Sequence, residues 1–237
     1  MQCVILAGGR ATRMRPLTDT IPKALIPVAG RPFLDHQLAW LASHGVSDVV
    51  LCVGYRGDAI RAHAGDGARH GLRVRYVDEA DRLRGTAGAL RLALDEGALE
   101  ESFLLTYGDS FLPVDFAAVF AAFAASGKPA LMTVFRNDGR WDTSNVIFDG
   151  GLVALYDKQR AVRPPADFAY IDYGLTALSR RVITDAIPSG AVADLAPLFQ
   201  ALSVRGELAG LEVAQRFYEI GSPAGLEDLE RWLRRPG

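Results

Sequence analysis

Gly8 and Gly9 close the apolar run Cys3-Val4-Ile5-Leu6-Ala7, and Arg10, Arg13 and Arg15 follow within a few residues. Paired glycines at the end of a buried strand let backbone N–H groups approach a phosphate oxygen with no Cβ in the way. The three guanidiniums can neutralise a polyphosphate, each with bidentate hydrogen bonds to offer. In a doubly wound sheet, ligands bind outside the carboxyl ends of the strands, where this loop falls. The stretch is not a Walker loop, because it has no Gly-Lys-Ser/Thr, and it lacks the GxGxxG spacing. The bland alternative is a glycine turn with solvated arginines. Farther along, Asp109 follows Gly108 at the end of a strand expected over 103–107, so its carboxylate faces the same crevice.

The elements that must hold these groups alternate. Residues 2–7 read as a strand buried on both faces. Over 33–44, Leu34, Leu38 and Leu41 fall at helical spacing, and Gly45 stands where a C-terminal glycine belongs. A second strand at 48–53, a short helix at 58–64, a third strand at 74–77, a helix at 87–94 and the strand at 103–107 follow. Phe116, Val119, Phe120 and Phe123 mark another amphipathic helix. Alternation of this kind implies βαβ units with right-handed crossovers and a mainly parallel sheet. The second half differs. Strands are expected at 130–135, 145–148, 152–156 and 171–178, with a hairpin at Asp149-Gly150-Gly151 and a loop over 160–168 around Pro164-Pro165. Helices near 180–186 and 195–203 precede strands at 208–213 and 217–220. A last helix runs over 223–233 with Pro223 in its first turn.

Composition limits what such a chain can be. Its 237 residues are 49% hydrophobic and 23% charged, too apolar for a disordered protein and enough for one large α/β domain. With 26 basic against 28 acidic residues the net charge is −2, which argues against a general nucleic-acid binder but leaves room for a local basic pocket. Cys3 and Cys52 each lie inside an apolar run and read as reduced core cysteines, without a disulfide framework or metal-ligand neighbours. The amino terminus enters a strand directly, with no leader-like region. No apolar run approaches the ~20 residues of a membrane helix. The expectation is a cytoplasmic protein without membrane partners.

Residues 4–28, from Val4 through Gly8-Gly9-Arg10-Ala11-Thr12-Arg13 and Pro22-Lys23-Ala24-Leu25-Ile26-Pro27, resemble the signature of the sugar-1-phosphate nucleotidyltransferases, the NDP-sugar pyrophosphorylases. The resemblance continues through residues 30–38, Gly85-Thr86-Ala87-Gly88, Tyr107-Gly108-Asp109, Tyr156-Asp157-Lys158 and Glu219-Ile220-Gly221-Ser222-Pro223, in the family's order and over nearly the whole chain. Among members, the chain looks most like short single-domain enzymes such as heptose-1-phosphate guanylyltransferases and N-acetylmuramate-1-phosphate uridylyltransferases. That likeness implies a three-layer α/β, Rossmann-like fold with a mixed, mostly parallel sheet and a small β-rich sugar-binding portion. Residues 1–237 would form one domain, with 1–127 mainly nucleotide-binding and 128–237 mainly sugar-binding, and without an appended acyltransferase β-helix.

The implied substrates are an NTP and a sugar 1-phosphate, the implied products an NDP-sugar and pyrophosphate, and the implied cofactor Mg²⁺. By overall resemblance the reading leans to GTP with a heptose or mannose 1-phosphate over UTP or dTTP. The sugar phosphate is already ionised at pH 7, so positioning and electrostatics should carry catalysis without a general base. By resemblance, Arg13 holds the triphosphate and Lys23 contacts phosphates at the reacting centre. Leu6, Ala7, Gly8, Gly9, Arg10, Ala11, Thr12 and Gly108 surround the nucleotide, and Gly85, Thr86 and Ala87 receive the base, with Thr86 also capping the helix that follows. Glu79 is either near the base or an exposed strand-end glutamate. Asp109 matches the first metal ligand. Glu219 stands where the family usually has an aspartate, and it keeps oxygen donors within reach of Mg²⁺. Lys158 matches a lysine that contacts the sugar phosphate, with Asp157 in place of a glutamate. Asp172 and Gly174 stand where relatives carry Asn-x-Gly at the sugar, and Asn145 is a further sugar-site candidate. Ala11 departs from the family's usual glycine. The four histidines read as ordinary surface or interface residues. A catalytically weak NDP-sugar-binding regulator, or an enzyme acting on a non-sugar phosphate, is the alternative, and a homo-oligomer is allowed.

Overall fold

A computed structural model describes residues 1–9, 14, 16–80, 82–137, 139–141, 143–161 and 167–235. Arg10, Ala11, Thr12, Arg13 and Arg15 of the phosphate loop lie outside the described residues, as do 162–166 of the expected 160–168 loop.

The strands, in chain order, are β1 (Gln2–Leu6), β2 (Pro27–Val28), β3 (Arg31–Pro32), β4 (Asp48–Val53), β5 (Arg73–Asp78), β6 (Ser102–Tyr107), β7 (Ser110–Phe111), β8 (Ala130–Arg136), β9 (Val146–Asp149), β10 (Leu152–Tyr156), β11 (Tyr170–Ser179), β12 (Leu208–Val213) and β13 (Tyr218–Glu219). The helices are α1 (Phe33–Ser43), α2 (Gly57–Ala64), α3 (Gly85–Asp95), α4 (Phe116–Ser126), α5 (Arg180–Ala186), α6 (Leu195–Val204) and α7 (Pro223–Leu233). Nine strands form one sheet in the order β5-β4-β1-β6-β11-β8-β12-β10-β9. The first four are mutually parallel. β11 then runs antiparallel between β6 and β8, β12 is parallel to β8, and β10 and β9 finish as an antiparallel hairpin.

Apolar runs explain the layers. β4 is buried at every residue, as a strand with helices on both faces must be. Alternate residues then serve two cores. Val4, Val50, Cys52 and Leu105 pack with Leu90 of α3, Ile183 of α5 and Phe199 of α6. Cys3, Ile5, Val49, Leu51 and Leu104 pack with Leu38 of α1, Ile60 of α2 and Phe123 of α4. The result is a three-layer α/β fold with a mostly parallel central sheet. Both cysteines are buried free thiols, and burial pushes each thiol far above its ordinary value.

The sheet edge away from the crevice is tied by one carboxylate. Asp48, 4% exposed, accepts from Gln2 Nε2 at 3.0 Å, from Arg75 at 2.9 Å and from Arg73, so a buried charge is fully paired. Three features differ from the sequence reading. β13 has two residues rather than the four expected at 217–220, and it pairs with β7 outside the main sheet. The β2–β3 hairpin was not expected, because two-residue strands carry no periodicity. The histidines are not ordinary surface groups: His63 and His70 both lie about 3 Å from Asp35 Oδ1, with Arg69 on the same oxygen, and His36 reaches Val28 O at 2.8 Å. Hydrogen bonding to the Asp35 carboxylate draws His63 and His70 in, and burial lowers the His70 imidazole below its ordinary value.

Candidate active site

At the carboxyl ends of β1, β4 and β6 lies a crevice of about 430 Å³, lined by Leu6, Ala7, Gly8, Gly9, Lys23, Gly85, Thr86, Gly108 and Asp109 from the sequence candidates. Ala87 is buried behind it. Met14, Ala24, Cys52, Glu79, Leu83, Ala89, Tyr107 and Asp194 complete the lining.

Glu79 resolves between its two readings. It is 7% exposed, its backbone N–H continues the sheet to Val53 O at 2.9 Å, and its Oε1 accepts from Arg84 N at 2.7 Å. A Cβ on Gly8 would collide with its other oxygen, so the glycine lets that carboxylate lie close against the loop. Burial raises the Glu79 carboxyl above its usual value, opposed by the Arg84 N–H.

Lys23 opens a 3-10 turn, Lys23–Leu25, behind Pro22. Its Nζ lies 2.6 Å from Asp109 Oδ2. The other Asp109 oxygen meets Ser110 Oγ at 3.3 Å. Asp109 is held in place by its backbone as well: Ile220 N donates to Asp109 O at 3.0 Å, and Glu219 is the register partner of Ser110. Glu219 is thus beside Asp109 in the backbone, exposed, and not part of the crevice lining. Arg216 is engaged elsewhere. Its guanidinium stacks 3.7 Å over Trp141 and pairs with Asp228 at 2.9 Å. On the segment after the phosphate loop, Arg56 donates to the carbonyls of Asp19 and Thr20.

The Gly85-Thr86 loop is built differently from the sequence reading. Gly85 has φ +73°, and a Cβ there would meet Ala193 O at 2.5 Å, so the position demands glycine. The N–H groups of Ala87 and Gly88 both donate to Ala193 O, and Thr86 N donates to Asp194 Oδ1. Those donors face the 193–194 segment rather than a ligand. Thr86 does not cap α3 either; its Oγ1 accepts from Leu195 N at 2.8 Å, the first residue of α6.

A second cluster gathers beyond Tyr107. Asn145 Oδ1 accepts from Asp172 N at 3.0 Å, and Asn145 O accepts from Asp157 N at 2.9 Å, so one residue knits the starts of β9 and β11 to the end of β10. Asp157 is buried and its Oδ1 accepts from Gln159 N. Asp172 Oδ1 accepts from Gly174 N at 2.9 Å, within an irregular stretch of β11 between Asp172 and Thr176. Enclosure raises the Asp172 carboxyl to about 6, opposed by the Gly174 N–H and by the Lys158 cation. Tyr107 joins the two clusters. It lines the crevice, a Cβ on Gly174 would lie 3.9 Å from its ring, and burial with the nearby carboxylates of Asp172 and Asp109 pushes its phenol up. Sequence reasoning placed Tyr107 within the Tyr107-Gly108-Asp109 motif but gave it no site role, and it missed Asp194, whose loop carries no motif.

Residues 2–145 match the family model described as Nucleotidyl transferase. The chain belongs to the nucleotidyl transferase family. This nucleotidyltransferase is 30% identical over 233 residues to an N-acetylmuramate alpha-1-phosphate uridylyltransferase of Neisseria meningitidis, covering 97% of each chain. It is 31% identical to a mannose-1-phosphate guanylyltransferase of Mycobacterium tuberculosis, over 98% of this chain and 66% of that one. With these relatives the nucleotidyltransferase stands among the enzymes that act on sugar 1-phosphates. In fold it matches HddC from Yersinia pseudotuberculosis complexed with GMP-PN (TM-score 0.79, 20% identity, 98% and 99% coverage) and the inositol-1-phosphate CTP transferase of T. maritima (TM-score 0.77, 21% identity, 97% and 93% coverage). No described helix of the nucleotidyltransferase is long and apolar enough to cross a membrane.

Proposed function

We propose that this enzyme joins GTP and a heptose or mannose 1-phosphate, giving a GDP-sugar and pyrophosphate. The observation that carries the reading is the meeting of two clusters at Tyr107: the crevice with Lys23 and Asp109 on one side, and Asn145, Asp157, Lys158, Asp172 and Gly174 on the other. A sugar-phosphate oxygen attacks the α-phosphorus, the bond to the β-phosphate oxygen breaks, and pyrophosphate leaves with the electron pair. No proton has to be removed from an ionised phosphate. The work is to hold anions together and to stabilise charge at the leaving group. Lys23 supplies a cation at the crevice. In the family's pattern Arg13 supplies another at the triphosphate, and Leu6, Ala7, Gly8, Gly9, Arg10, Ala11, Thr12 and Gly108 surround the nucleotide.

Guanine is favoured by Glu79. A buried carboxylate lining the crevice is an acceptor for a base that presents adjacent N–H donors, as guanine does at N1 and N2. Mg²⁺ fits the acidic groups. Asp109 and Glu219 offer hard oxygen donors from backbone positions tied by the Ile220–Asp109 bond and the Glu219–Ser110 register, which suits a cation that takes one or two carboxylates plus phosphates. When bound, Mg²⁺ would neutralise phosphate charge at the reacting centre.

Pyrophosphate release measured over a panel of NTPs and sugar 1-phosphates tests the reading. GTP with a heptose or mannose 1-phosphate should give the highest kcat/KM, and no release with any pair would overturn the enzyme assignment. The uridylyltransferase relative that spans 97% of both chains favours UTP as the second reading, and the same panel decides between them.

A further inference from the structure

Asp109 sits on a turn between β6 and β7, so something must hold that turn against the sheet. The register of β6 with β11 ends at Leu105, and Gln37 of α1 reaches the carbonyls beyond it. Gln37 is 4% exposed, and its Nε2 donates to Tyr107 O at 2.9 Å and to Ser110 O at 3.0 Å. These carbonyls bracket Gly108 and Asp109. A neutral amide has two donors on one planar nitrogen. Lysine would bury an uncompensated charge at the same place, and glutamate has no donor when ionised.

Among the described residues, the other end of the same amide has no protein partner: Gln37 Oε1, Trp40 Nε1 and Thr106 Oγ1 are all buried polar atoms without a hydrogen bond to them. All three residues line one cavity of about 10 Å³, closed by Leu41, Phe111 and Phe116. Three orphaned groups rarely share a dry cavity, since each loses its hydration without return. The set comprises an acceptor, a donor and a hydroxyl that is both, and the space is about that of one water molecule. We infer that Gln37 is a positioning residue for Asp109, and that one internal water bound by Gln37, Trp40 and Thr106 locks its amide in the orientation that brackets the turn. This rests on the proposed role of Asp109.

A crystal structure with ordered solvent should contain a single water within hydrogen-bond reach of Gln37 Oε1, Trp40 Nε1 and Thr106 Oγ1; clear density with nothing there overturns the water. Gln37→Met should lower kcat roughly 10-fold, a loss typical of groups that orient a metal-binding carboxylate, while the KM for NTP stays within about twofold. Gln37→Glu should lose more, because its carboxylate faces two carbonyl oxygens. Thr106→Val removes one water partner and keeps the shape, so it should show a smaller loss of the same kind, and it carries the test if the Gln37 variants fail to fold. Asp109→Asn is assayed alongside. If Asp109→Asn is impaired while folded Gln37→Met turns over like the wild type, the positioning role is wrong. If Asp109→Asn itself turns over normally, the site reading fails instead. A parallel change in KM and stability with kcat intact would reduce Gln37 to a purely structural residue.

Discussion

Thr86 and Asp194, 108 residues apart, cap each other's helices: Asp194 Oδ1 takes the N–H of Thr86 near the start of α3, and Thr86 Oγ1 takes the N–H of Leu195 at the start of α6. The exchange ties the loop expected to receive the base to a segment with no recognisable motif. Thr86→Val should therefore cost about 1 kcal/mol, the usual size of a lost cap, and lower Tm by ~2–4 °C in a chain of this size. It should also raise the KM for NTP. Denaturation and steady-state kinetics on the same preparation check both, and an unchanged KM would separate the cap from nucleotide binding.

The charge at the reacting centre comes next. Lys23→Ala should reduce kcat/KM by at least ~100-fold, as removal of an electrostatic contact to developing charge typically does. Its side chain is 14% exposed and faces Asp109 rather than a core, so the fold should survive. Near-normal turnover in a folded variant would strike Lys23 from the reacting centre.

Chelation should abolish activity and Mg²⁺ or Mn²⁺ restore it, with Asp109→Asn severely impaired. Glu219→Gln should raise the Mg²⁺ concentration needed for half-maximal rate, and Glu219→Asp should keep substantial activity. A superimposable Mg²⁺ titration for Glu219→Gln would remove that residue from the metal site.

Asp172 gives a pH dependence of defined sign. Its carboxyl titrates at about 6 in the native chain, against 3.8 as its ordinary value. Below both values each state holds the proton and nothing is lost. As pH rises between them the unfolded chain releases the proton first, so native stability falls. Well above pH 6 the full cost is present, and Asp172→Asn should be more stable than wild type there by roughly 3 kcal/mol. Chemical denaturation at pH 4 and pH 8 checks this: the gain should be large at pH 8 and small at pH 4.

The elements legible in the residues are those with strong local signals. The continuous apolar runs of β1 and β4, the Leu34-Leu38-Leu41 stripe of α1, the Asp149-Gly150-Gly151 hairpin and Pro223 at the start of α7 all appear where expected. What local pattern could not carry depends on distant chain. Thr86 reads as a cap for α3, but its acceptor role is taken by α6. Glu79 reads equally as exposed or enclosed, because its burial depends on loops distant in the chain that pack around it. Gln37 is one more polar residue on an amphipathic helix until the carbonyls of Tyr107 and Ser110 are seen opposite it. Asp35 gathers two histidines from α2 and the turn beyond it, a convergence invisible to periodicity.

The strand order also sets a timetable for synthesis. β1 leaves the ribosome before both of its neighbours, β4 and β6, so its second edge stays open until residue 107 has emerged. At translation rates of ~5–20 residues per second this is a delay of roughly 5–20 s. β6 in turn waits for β11, whose pairing residues are 176–179. During that interval the nascent chain carries Cys-Val-Ile-Leu as an unsatisfied apolar edge, so chaperone dependence in the cell should track slow translation of the stretch between β1 and β6.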